Sequence, residues 1–217
     1  MNTGFDLAQL REGLMFYIVL IVSLCIHEWA HAFTADRLGD DTPRQDGRVT
    51  LNPVVHMDLF GSVIFPLVCI FMFPGGLLFG WGKPVRINPS NFPYRKRDEV
   101  LTTLAGPMAN LTLALLAAVI GGFACRYDAR ALELVRLMLS LNVALAVFNL
   151  IPLPPLDGGT VLKHAIGMSE EMFYNISRWS MLVLLIAINI PPIRHLLGVV
   201  MALVSWPFAI LFQMIAG

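Results

Sequence analysis

The sequence is short of charge. Only 14% of its 217 residues are Asp, Glu, Lys or Arg, against 57% hydrophobic, and 15 basic residues balance 15 acidic ones. Soluble domains carry about a quarter charged residues. A net charge of zero offers no basic footprint for nucleic acid. Cysteine is scarce too. Cys25, Cys69 and Cys125 form no C-x-x-C pair, which excludes a disulfide framework and a thiolate metal site and leaves them as small packing residues. Long polar stretches are also missing. The longest, about Lys83 to Glu99, is too short for a separate soluble domain. Neither an internal repeat nor a low-complexity tract occurs.

What is present is apolar, with a mean hydropathy of +0.70. Several runs are long enough to cross a bilayer. The pattern predicts an all-α polytopic membrane protein with about five transmembrane helices. The spans run over Arg11 to Leu38, Val100 to Ala124, Leu132 to about Leu153, Met172 to Ile190, and His195 to Ile215, with a kink at Pro207. A single membrane-embedded domain covers 1–217, with a core over 11–160 and two further helices over 172–216. The first run could pass for a signal-peptide core. It lacks the basic leader, because Asp6 and Glu12 balance Arg11, and is expected to be a retained span.

Leu59 to Phe73 is apolar but short, interrupted by Pro66 and stopped by Pro74-Gly75-Gly76. This predicts a re-entrant or β-hairpin-like element between the first two spans, not another crossing. Arg48 to Leu51 and Val85 to Asn88 read as short strands beside it.

Inside the first span lies His27-Glu28-Trp29-Ala30-His31, an H-E-x-x-H string. Residues four apart share a helix face, so the two imidazoles can bind one metal ion while Glu28, on the adjoining face, reaches a water. Ionisable groups are costly in a bilayer, which favours a functional reading over packing. Catalytic zinc takes three protein ligands and keeps a position for water. The extended pattern with a later histidine fails, since Thr34 and Arg37 stand where its glycine and histidine would be. Seven candidates remain for the third ligand: Asp36, Asp40, Asp41, Asp46, His56, Asp58 and Asp157. Asp157 is favoured, because it follows an apolar helix and two glycines come after it.

Sidedness follows from the basic residues. Arg37, Arg44, Arg48, Lys83, Arg86, Arg95, Lys96 and Arg97 lie between the histidines and the second span, with Lys163 and Arg178 after the third. Opposite loops hold Arg11, Arg126, Arg130, Arg136 and Arg194. The positive-inside rule puts the first set in the cytoplasm. That predicts an external N-terminus, a cytoplasmic C-terminus, and the histidines, Asn110 and Asp157 together on the cytoplasmic side.

His27-Glu28-x-x-His31, Gly106-Pro107-x-x-Asn110 and Asn149-x-x-Pro152-x-x-Pro155-Leu156-Asp157-Gly158 together resemble the signature set of the site-2 protease family of intramembrane zinc metalloproteases. Gly47 to Pro53 and Gly80 to Pro84 are similar to segments of its small members. The resemblance implies one Zn2+ per chain on His27, His31 and Asp157, with Glu28 as general base and Asn149, or Asn110, holding substrate or oxyanion. It implies peptide-bond hydrolysis in transmembrane helices of substrate proteins, in a cell membrane. His56 is a candidate supporting residue beside the site. Neither the PDZ nor the CBS domain of many members fits here. The competing reading is a membrane metal-binding or transport protein without hydrolysis.

Overall fold

A computed structural model of the chain describes residues 7–72 and 80–217. Nine α-helices are present among the described residues. α1 (Leu7–Leu38) leads to two one-turn helices, α2 (Thr42–Gln45) and α3 (Pro53–His56), then to a π-helical turn at Leu59–Ile64 that continues into α4 (Phe65–Met72). α5 (Arg95–Tyr127) and α6 (Ala131–Asn149) are long; α7 (Asp157–Ile166), α8 (Glu170–Ala187) and α9 (Pro191–Ala216) follow. α5 is the central element and packs on α1, α6, α7 and α9. Among the described residues four helices, α1, α5, α6 and α9, are long and apolar enough to cross a membrane.

The fifth expected span differs. α8 occupies the expected place but carries Glu170, Glu171 and Arg178 in 18 residues, too many charges for that class. α6 ends at Asn149, short of the expected Leu153, because Pro152 brings no N–H to continue the ladder. No strand occurs among the described residues. One antiparallel bridge, Met57 to Gly82, stands where a hairpin was expected. Around Arg48 the backbone satisfies itself locally: Arg48 N–H bonds Pro43 O at 2.8 Å and Thr50 N–H bonds Arg48 O at 2.9 Å. Val85 N–H goes to a carboxylate, Glu28 Oε2, at 3.1 Å. These bonds leave no ladder.

Residues 56–62 meet residues 81–83 directly. Lys83 N–H donates to His56 O at 2.8 Å and Trp81 N–H to Gly61 O at 3.2 Å. Ser62 Oγ also donates to Trp81 O at 2.6 Å, so residues 62 and 81 lie side by side. The expected stop at Pro74-Gly75-Gly76 lies outside the described residues. Asp40, fully buried, closes the same region by accepting from Thr42, Asn88 N–H and Asn91. Burial pushes its carboxyl up, but those hydrogen bonds hold it below the ordinary carboxylate value.

The helix ends sort into two groups. His31 of α1 bonds Thr102 O of α5 at 2.8 Å, so the end of α1 lies beside the start of α5. At the other end Arg11 pairs with Glu133 at 3.1 Å. α9 runs in the direction of α5. Val200, Met201, Val204 and Phe208 pack on the cluster containing Ala114, while Ile215 lies against Gly122, where an added Cβ would sit 2.8 Å from Ile215 Cβ. The last residues therefore sit at the end away from Thr102. This corrects the expectation that the C-terminus shares a side with the histidines, which assumed that all five long apolar runs cross.

A buried ion pair pins α7 to the start of α5. Lys163 Nζ lies 2.6 Å from Glu99 Oε1, both more than nine-tenths buried, and His164 Nε2 lies 3.1 Å from Glu99 Oε2. Removing one partner strands a buried charge. Lys163→Met is expected to cost about 3–5 kcal/mol of stability. The double variant Lys163→Met/Glu99→Leu should recover most of it, read as thermal unfolding in detergent.

Candidate metal centre

Three elements meet at the Thr102 end. α1 brings His27 and His31, one helical turn apart, with ring centroids 4.6 Å apart. α5 brings Gly106 against them: a Cβ there would lie 2.7 Å from His27 Cε1 and closer still to His31. Only glycine leaves the imidazoles their positions. Asp157 arrives as the first residue of α7, after a tight turn containing the cis Pro154–Pro155 peptide. Gly158 and Gly159 let α7 start directly on the backbone of residues 150–154; a Cβ on Gly159 would meet Leu153 C at 2.7 Å. Asp157 Oδ2 is 3.3 Å from His27 Nε2, and Oδ1 is 3.5 Å from His31 Nε2.

The outer ring nitrogens settle the chemistry. His27 Nδ1 is 2.6 Å from Asn110 Oδ1, and His31 Nδ1 is 2.8 Å from Thr102 O. Both partners are acceptors, so each Nδ1 carries the proton. Each ring therefore turns its Nε2 toward the space between the helices. The two Nε2 atoms face one another at 3.0 Å, with Asp157 alongside and its buried Oδ2 without a hydrogen-bond donor. Three ligand atoms converging from two imidazoles and a carboxylate suit a cation. One ligand atom from each of the three residues lies within 4.8 Å of the others, and two imidazoles and a carboxylate are a donor set that zinc accepts.

The other third-ligand candidates are occupied elsewhere. Asp36 pairs with Arg44 at 2.5 Å. Asp40 is held as described, Asp41 accepts from Gln45 at 2.9 Å, and Asp46 pairs with Arg86. Asp58 caps the π-helical turn, accepting from Phe60 and Gly61 N–H at 3.0 and 2.7 Å. His56 is buried with Nε2 2.8 Å from Thr50 O; burial pushes its pKa down, so it is a neutral loop anchor at the level of Glu28 and Arg48.

Glu28 lies on the adjoining face of α1, as expected. Its Oε2 accepts Val85 N–H at 3.1 Å and lies 3.8 Å from Arg48 Nη2. Arg48 is buried and also donates to the Lys83 and Pro84 carbonyls, joining the base position to the returning segment. Arg48 was marked in the sequence only as a basic residue and strand former. Its place in a polar loop, two residues from Asp46 and four from Arg44, hid that role.

Asn110 does not face an open surface. It is fully buried, its Oδ1 meets His27, and its Nδ2 donates to Asn142 Oδ1 at 2.9 Å and Ser23 O at 3.4 Å. With every strong donor spent, it orients His27; the expected substrate contact has no free group to make it. Asn142, fully buried in α6, was an amide inside a span and so a readable signal. Asn149, at the last turn of α6, donates to Leu145 O at 2.9 Å. Asn110→Ala is expected to weaken metal affinity about 10- to 100-fold, the usual cost of losing such an orienting partner. Competition with a zinc-selective chelator would measure it.

Comparison with known proteins places these features in a lineage. The model of "Peptidase family M50" matches residues 126–188, which include Asn149 and Asp157. A Bacillus subtilis (strain 168) protein named "Putative zinc metalloprotease YwhC" is 36% identical over 164 residues, 71% of this chain and 71% of that one. A Mycolicibacterium smegmatis protein named "Putative zinc metalloprotease Rip2" is 30% identical over 186 residues, 81% of this chain and 66% of its own length. The Rip2 protein of Mycobacterium tuberculosis (strain H37Rv) is 30% identical over 191 residues, covering 87% and 70% respectively. No solved structure matches the chain.

Proposed function

The chain belongs to peptidase family M50, the site-2 proteases, and from that premise we propose that this integral membrane metalloprotease holds one zinc ion on His27, His31 and Asp157 and cuts peptide bonds within transmembrane segments of other proteins. The observation that carries this is the convergence of the two Nε2 atoms, 3.0 Å apart, on Asp157, whose buried Oδ2 has no hydrogen-bond partner. When bound there, zinc would supply a Lewis acid that brings water into the range of pKa 7, about nine units below bulk.

Glu28 is the proton carrier in this reading. Its carboxylate takes a proton from the attacking water and returns it to the departing amine. Arg48, 3.8 Å from Oε2, and Val85 N–H keep the carboxylate aimed until substrate arrives. Asn110 and the Thr102 carbonyl fix the tautomers that leave both Nε2 atoms free. A helical substrate must unwind to expose its carbonyl. Asn149, at the end of α6, is the residue proposed to meet that stretch. The segment from Met57 to Gly82 is read as a re-entrant element, since its ends are paired. The basic loops at this end support a site facing the cytoplasm, in the cell membrane.

Purified protein in liposomes with a labelled single-span substrate tests the proposal. Cleavage should cease on stripping the metal and return with stoichiometric zinc. Undiminished cleavage by metal-free protein would overturn it.

A further inference from the structure

α8 begins and ends on the same end of the molecule. Its first turn is tied to the metal-centre end by Glu170, 2.9 Å from Arg95 and 3.4 Å from Lys163. Its last turn leads through three residues into α9, which runs parallel to α5 and so starts at that end too. A straight helix of 18 residues, about 27 Å long, cannot cross a bilayer and satisfy both attachments.

Its surface divides into three sectors at 100° per residue. Phe173, Ser180 and Leu184 face the protein; Ser180 and Leu184 are buried, and Lys163 Nζ lies 5.3 Å from the Phe173 ring. Met172, Trp179, Val183 and Ile186 form an exposed apolar sector. Glu170, Tyr174 and Arg178 form an exposed polar one over the first half of the helix, while every residue from 181 to 187 is apolar. Arg178 falls at the helix midpoint, where a spanning helix would carry its guanidinium through the bilayer centre.

We propose that α8 lies in the plane of the membrane at the metal-centre end, with its Met172–Trp179–Ile186 sector seated in the headgroup–acyl boundary of that leaflet and Glu170, Tyr174 and Arg178 in water. The partner is the lipid surface. The groove of about 660 Å³ between α8 and Leu153, in the turn before Asp157, then opens into that leaflet. Arg194 joins the basic loops at the same end, and the last residues emerge on the opposite face. The inference rests on α1, α5, α6 and α9 spanning the membrane, not on catalysis by the site between them.

Single cysteines in a cysteine-free, full-length protein in sealed vesicles test it. Ser90→Cys and Arg194→Cys should react with an impermeant maleimide from one side, and Arg130→Cys and Gly217→Cys from the other. If all four are reversed relative to the cytoplasm, the proposed orientation fails but this inference stands. Labelling of position 194 with position 130 would overturn it. Spin labels at Met172→Cys, Trp179→Cys and Ile186→Cys give an independent reading. An in-plane helix puts all three at similar shallow depth, whereas a spanning helix separates neighbours by about 10 Å. Depth rising to the bilayer centre at 179, or no lipid exposure at any of the three, would overturn the proposal.

Discussion

Asp157→Ala is expected to leave the protein folded and without stoichiometric metal. Two neutral imidazoles do not hold zinc as three ligands with a carboxylate do. The other acidic residues at this end are bound to partners of their own: Asp36 to Arg44, Asp40 to Thr42, Asn88 and Asn91, Asp41 to Gln45, and Asp46 to Arg86. None can move in as a substitute without breaking its own contacts. The fold should survive, because α7 is anchored by Gly158, Gly159 and the Lys163–Glu99 pair rather than by the carboxylate. Metal content by mass spectrometry should fall from about one zinc per chain to below roughly a tenth. Asp41→Ala, an exposed control, should retain it. Stoichiometric zinc in the Asp157→Ala protein would end the ligand assignment.

Much of the fold could be read from apolar run lengths, because a span must satisfy its own backbone within lipid and so declares itself. α1, α5, α6 and α9 match expected runs to within a few residues, apart from the early end of α6. α8 is the run that length and hydropathy leave undecided, for a physical reason. Its second half is apolar all round, and hydropathy cannot tell a helix that crosses from one that lies against the protein. Only the packing of α9 on α5, through Ala114 and Gly122, reveals the direction. The strands at 48–51 and 85–88 failed because β-branched alternation is a weak signal when nearby groups such as Pro43 O and the Glu28 carboxylate compete for the same N–H donors.

At the site, helical spacing paired His27 with His31, but spacing could not select among seven third-ligand candidates. The partners of Asp36, Asp40, Asp41 and Asp46, and the capping role of Asp58, remove those from contention in a way no sequence pattern encodes. Asn110 shows the converse. Its motif position marked it as important, yet its task of orienting His27 depends on Asn142 from another helix, which sequence separation conceals.

Glu28→Gln is expected to keep full metal and lose nearly all turnover. Glutamine has the same shape, and its amide oxygen can still accept Val85 N–H, so the returning segment and Arg48 should stay in place. What it cannot do is accept a proton from water at neutral pH. Loss of a positioned general base costs about 10²- to 10⁴-fold. Single-turnover cleavage of a labelled transmembrane substrate should slow by that factor, while zinc content and thermal unfolding stay at wild-type values. The combination matters. A slow, metal-free variant would mean that Glu28 helps to hold the ion. A metal-replete variant cutting at the wild-type rate would mean that the base is another group, and the histidine pair would then have to be reconsidered as a binding site without hydrolysis. Only full metal with lost turnover separates the residue that moves the proton from the three that hold the ion.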